Sequence, residues 1–131
     1  MKNQVILIID NDDAVREATA RVLSCCGYAN VLQATNGQQG IKMIGEHNPD
    51  LVITALTMPG MCGEEVARWI SREHKPAHSS IKIIALGGGD HKMVEPVVKA
   101  AGCDALLPKL SGLSSFRSTT DLLLGIPSSI H

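Results

Sequence analysis

The chain has 131 residues, 44% of them apolar and 19% charged, with a net charge of −1. This length and composition describe one globular domain over residues 1–131 and exclude a disordered chain; the elements predicted below give it a core of about 4–124 and a short tail at 125–131. Acids and bases are interspersed, which leaves no electrostatic footprint for nucleic acid, and no apolar run reaches the length of a membrane span.

Residues 4–9 (QVILII) read as a strand that stops at Asp10-Asn11-Asp12-Asp13. Those acids suit a helix N-terminus, where Asp12 and Asp13 are read as capping groups rather than metal ligands. The helix that follows is expected to turn Ala14, Ala18, Val22 and Cys25 inward and to stop at Gly27. Residues 30–34 predict a second strand, and Thr35-Asn36-Gly37 opens a helix with Ile41 and Ile44 inward, closed before Asn48-Pro49.

Residues 51–56 (LVITAL) form a short apolar run suited to a strand buried on both faces. Met58-Pro59-Gly60-Met61-Cys62-Gly63 then turns the chain into a helix with Val66, Trp69 and Ile70 inward. Residues 72–80 are a polar connector, and 81–86 (IKIIAL) a fourth strand closed by Gly87-Gly88-Gly89. Pro96 predicts that the fourth helix begins late, with the proline in its first turn, or kinks there. Residues 105–107 are a fifth strand ending at Pro108-Lys109, and 113–124 a last helix with Leu113, Phe116, Leu123 and Leu124 inward. Five strands, each followed by a helix, predict a parallel sheet covered on both faces.

Other site chemistries find little footing. Cys25, Cys26, Cys62 and Cys103 form no C-x-x-C pair and are expected as reduced thiols, and the five histidines show no metal-ligand spacing. Gly87-Gly88-Gly89 lacks the G-x-G-x-x-G and Gly-Lys-Ser/Thr patterns of phosphate loops. Thr54 and Thr57 have no neighbouring base to activate their hydroxyls. No secretory signal precedes the first strand, and a cytoplasmic location is expected.

Four stretches together are distinctive: VILIIDNDD, PDLVITALTMPGMCG, IIALGGG and GCDALLPKL. Over residues 4–124 the chain resembles a receiver domain of a two-component response regulator, the CheY-like family. The resemblance implies a flavodoxin-like, doubly wound (βα)5 fold with strand order 2-1-3-4-5. It also implies a crevice at the ends of the first and third strands, lined by Asp10, Asn11, Ala55, Gly87 and Lys109.

In that family a phosphoryl group moves from a phosphohistidine donor to an Asp nucleophile. Acids after the first strand, with the nucleophile and a backbone carbonyl, hold Mg²⁺; a Ser or Thr after the fourth strand and a lysine after the fifth complete the site. Carried onto this sequence, the phosphoacceptor position is Ala55, the switch position is Gly87, and the lysine is Lys109. The metal site reduces to Asp10, Asn11 and the backbone of Thr57, and Mg²⁺ is expected to bind weakly or not at all. Leu106 replaces the aromatic near the fifth strand. Leu110 replaces the proline after the lysine, so a trans Lys109–Leu110 bond is expected.

The resemblance therefore implies a signalling module in phosphorelay signalling that acts through protein contacts and is not an enzyme. Its implied partners are a histidine kinase, a phosphotransfer protein or an output domain. The implied surface is the fourth helix, fifth strand and fifth helix, through which a homodimer could also form. Two alternatives stay open: an ordinary receiver carrying an engineered Asp-to-Ala change at position 55, and a small-ligand binder or enzyme on the same fold. Asn11, Gly87, Leu106 and Leu110 favour loss spread over the site above a single replacement.

Overall fold

The computed structural model describes residues 2–73, 81–87, 91–109 and 112–126. The elements alternate along the chain: β1 (Lys2–Ile9), α1 (Asp13–Cys25), β2 (Tyr28–Ala34), α2 (Gly37–His47), β3 (Leu51–Ala55), α3 (Gly63–Glu73), β4 (Lys82–Leu86), α4 (His91–Ala100), β5 (Ala105–Leu107) and α5 (Leu113–Leu123). The five strands form one sheet in the order β2-β1-β3-β4-β5, every pairing parallel. This is the expected flavodoxin-like topology, with Ile9 beside Thr54 and Ala55 beside Leu86 at the carboxyl edge.

Strands buried on both faces explain the unbroken apolar runs. Ile6, Leu7, Ile8 and Ile9 are all fully buried. Leu7 and Ile9 pack with Ile44, Val66, Ile70 and Val98 from α2, α3 and α4, whereas Ile6 and Ile8 pack with Leu23 and Phe116 from α1 and α5. Each such side chain stabilises the fold by roughly 1.5–3 kcal/mol relative to exposure. At the opposite edge two carboxylates tie strand starts together: Asp50 accepts from the Val5 N–H at 2.7 Å and Asp104 from the Ile83 N–H at 2.8 Å.

Several local expectations are corrected. In α1 the buried residues are Val15, Arg16, Thr19 and Leu23, while Ala14 and Cys25 are exposed. Burying Val15 and Leu23 removes more apolar area than the alanine stripe would. The polar members are satisfied: Thr19 donates to the Val15 carbonyl at 2.8 Å, and Arg16 pairs with Asp13 at 2.6 Å. Strand β2 begins two residues early because Tyr28 is buried with its hydroxyl on Asp121. Trp69 is half-buried at the margin of the core.

Helix α4 begins at His91 and carries Pro96 inside it. A proline at the sixth position removes only the bond to a carbonyl of the first turn. The carboxyl half is secured by burial of Val98 and by Gly102 at φ +111°, whose N–H donates to Lys99 while the Cys103 N–H donates to Val98. The connector expected over 72–80 is corrected at its start, where Arg72 and Glu73 continue α3; the expectations for the rest of it, for Gly88 and Gly89, and for the Lys109–Leu110 bond lie outside the described residues.

Candidate functional site

The carboxyl edge of the sheet gathers the ends of β1, β3, β4 and β5. Helices leave β1 and β3 toward opposite faces of the sheet, which opens a crevice between them. Asp10, the residue after β1, is fully buried there. Its main chain is fixed twice, by its N–H donating to Ala34 at 3.1 Å and by its carbonyl accepting from Arg16 Nη1 at 2.9 Å. Its carboxylate Oδ1 accepts from the Asp12 N–H at 2.9 Å. Oδ2 has no hydrogen-bond partner among the described residues, and the Lys109 ammonium stands 3.6 Å from it.

Arg16 went unnoticed in the sequence. Its guanidinium also donates through Nε to Gln33 at 3.0 Å and pairs with Asp13, so one buried side chain braces β1, β2 and the start of α1. Only the Asp13–Arg16 spacing hinted at it. Asp12 caps α1 through the Val15 N–H at 3.1 Å. Asn11 is exposed and lines an adjoining cleft of about 260 Å³ with Asn36, Pro59 and Met61.

Ala55 is the fully buried last residue of β3, and the Thr54 hydroxyl donates to its carbonyl at 3.1 Å. Thr57 is exposed just beyond it. Gly87 follows β4, buried, with its N–H donating to Leu107 at 3.1 Å. Leu106 is half-buried against the core. Asp10, Ala55, Gly87 and Lys109 thus stand at neighbouring strand ends, with Asp10 and Lys109 in direct electrostatic contact.

The oxygen donors at the crevice bear on whether Mg²⁺ suits it. Among the described residues, no group of three or more His, Cys, Asp or Glu side chains could hold a metal ion. Asp10 supplies one carboxylate, beside which Lys109 already places a positive charge.

A second polar cluster lies at the start of β1 and β2. Asp121 accepts from Lys2 Nζ at 2.8 Å and from the Tyr28 hydroxyl at 2.5 Å, and the Lys2 ammonium sits 4.5 Å from the centre of the Tyr28 ring. Burial, with the Asp121 charge, pushes the Tyr28 phenol up. Burial also raises the Cys26 thiol against the pull of Arg117, and pushes the Cys103 thiol up to about 12, helped by Asp104 and Glu64.

Comparison with known proteins places this architecture. The family model of the response regulator receiver domain matches residues 6–120. The polar-differentiation response regulator DivK of Brucella anthropi is 24% identical over 120 residues, covering 92% of this chain and 95% of that protein. The crystal structure of a putative response regulator from Chloroflexus aurantiacus superposes with a TM-score of 0.84 at 26% identity, over 95% of this chain and 99% of that one. The chemotaxis protein CheY4 of Vibrio cholerae shares the fold, with a TM-score of 0.82 at 20% identity over 93% and 99% of the two chains.

Proposed function

The chain belongs to the response regulator receiver domain family, and on that premise we propose that it serves two-component signalling through protein contact, accepting no phosphoryl group itself. The observation that carries this reading is Ala55 at the buried end of β3, the position that by resemblance holds the phosphoacceptor. A methyl group has no lone pair with which to attack phosphorus.

The surroundings support the same reading. Among the described residues, the Asp10 carboxylate, an exposed amide at Asn11 and main-chain oxygens near Thr57 are a poor fit for Mg²⁺, which favours several anionic oxygens in octahedral array. Lys109 neutralises Asp10 without a divalent ion. Gly87 has no hydroxyl to offer a phosphoryl oxygen. We read the chain as a signalling module without turnover of its own.

A histidine kinase, a phosphotransfer protein or an output domain is the implied partner, engaged on the face of α4, β5 and α5. Exposed apolar side chains on two of those elements support this: Met93 and Val97 on α4 are 75% and 49% exposed, and Leu122 on α5 is 80% exposed. The same residues suit a second copy of the chain. Transfer from a histidine-phosphorylated protein is the test. The donor is expected to keep its phosphoryl group in the presence of this chain, and a labelled product would refute the reading.

A further inference from the structure

The outward side of α3 lines an open groove. Met61 from the turn before the helix, with Glu65, Arg68, Trp69, Arg72 and Glu73, bounds a cleft of about 400 Å³. Gly63, Val66, Ala67 and Ile70 take the buried side of the helix. Helical periodicity therefore brings Glu65, Arg68, Trp69 and Arg72 together on the opposite side. Glu65, Arg68 and Arg72 are exposed there, and Trp69 is half-buried.

The charges at the two ends of this face are not neutralised within the chain. Glu65 and Arg72 stand two turns apart, about 10 Å along the axis, too far to pair with each other. Among the described residues neither has an ion-pair partner. Glu65 Oε1 takes long contacts from the Cys62 N–H at 3.5 Å and from Cys62 Sγ at 3.4 Å, and Arg68 lies 3.9 Å from Glu64. Read along the helix, the order is acid, indole, guanidinium at 65, 69 and 72. Laid head to tail on a copy of itself, that order sets Glu65 level with Arg72 at both ends and Trp69 level with its counterpart. The face is its own complement about a two-fold axis.

We propose that α3 docks antiparallel on α3 of a second copy of this chain, each Glu65 meeting the partner's Arg72 around a central contact of the two Trp69 indoles. The charge pattern selects this occupant. An acidic partner would set its charge against Glu65 and Glu73, and a basic one against Arg68 and Arg72, whereas a second copy answers both signs at once. Exposed ion pairs contribute little affinity and set the register, while the indoles supply the apolar anchor. One helix from each chain makes a small interface, at or below about 1,200 Å², so the association is weak and rises with concentration. The described residues that line the groove lie outside α4, β5 and α5, and the pairing does not depend on the reading of Ala55.

Trp69 is the one tryptophan of the chain, so its emission reports on this face directly. Sedimentation velocity and tryptophan emission, followed from low to high micromolar protein, are expected to show a monomer–dimer equilibrium with a concentration-dependent emission shift. Salt is expected to weaken it. Glu65→Arg and Arg72→Glu are each expected to weaken self-association at least about tenfold, because like charges then stand opposite one another. Mixed in equal amounts, the two variants are expected to associate again, since each offers the charge that the other lacks. Loss without recovery in the mixture would overturn the antiparallel pairing. So would a chain that stays monomeric throughout, or a dimer that Met93→Ser with Leu122→Ser abolishes while both charge reversals keep it. If either reversal unfolds, Glu65→Gln and Arg72→Gln replace the pair; each is expected to weaken the association, and an unchanged equilibrium would overturn the proposal.

Discussion

The Lys109 ammonium stands 3.6 Å from Asp10 Oδ2, an oxygen on a side chain only 1% exposed. The distance is too long for a hydrogen bond but short enough for Coulomb attraction between the two charges. Lys109 itself is 32% exposed, so water screens part of the interaction. Asp10 depends on the pair more than Lys109 does.

Replacing Lys109 by Met leaves a buried carboxylate without its counter-charge. The variant is expected to lose about 1–3 kcal/mol in urea unfolding, with Lys109→Arg close to native. Adding Asp10→Asn to Lys109→Met is expected to recover part of the loss, because the uncompensated charge goes with it. Equal stability of Lys109→Met and the native chain would show that the pair contributes nothing.

Alkaline pH acts on the other side of the molecule. Burial pushes the Cys103 thiol up to about 12 from an ordinary 9.0. Between those values the folded chain keeps a proton that the unfolded chain has released. The stabilisation is therefore complete below pH 9 and declines as pH rises toward 12, at about 1.4 kcal/mol per pH unit per proton. Cys103→Ala is expected to flatten this slope in denaturant titrations over that range. Tyr28, also raised, adds to the loss in both chains, so the difference between them isolates Cys103. An identical slope in the two would show that the thiol is not held neutral.

Much of this architecture was legible in the sequence, and the exceptions have physical causes. Apolar runs stopping at Asp10, after Leu56, at Gly87 and at Pro108 placed the ends of β1, β3, β4 and β5 to within a residue, β3 stopping at Ala55, and parallel topology then brought those ends together. The phase of α1 was misread because alanines mark a helical stripe as visibly as larger residues do while burying less area. Partners distant in sequence left no trace. Tyr28 and Asp121 are 93 positions apart, and nothing local foretells that Lys2 joins them.

Charge balance also predicts the response to divalent ions. Among the described residues, no acidic cluster that could hold a metal surrounds Asp10, and Lys109 stands beside it; millimolar Mg²⁺ is therefore expected to leave Tm unchanged, since a ligand stabilises only as far as it binds. Ala55→Asp places a second carboxylate at a fully buried position near the first. That variant is expected to be less stable by on the order of 1–3 kcal/mol and to regain part of the loss with Mg²⁺. A Mg²⁺-dependent rise in the Tm of the native chain would contradict this account of Asp10 and Asn11.

The most direct measurement is intact mass after incubation with Mg²⁺ and a small-molecule phosphodonor, with Ala55→Asp run alongside. The native chain is predicted to gain no phosphoryl mass. The variant is predicted to label slowly at most, because on the proposed reading Asn11 and Gly87 occupy positions where the resemblance implies a charge and a hydroxyl that assist transfer. A hydroxylamine-sensitive phosphoryl adduct on the native chain would contradict the account.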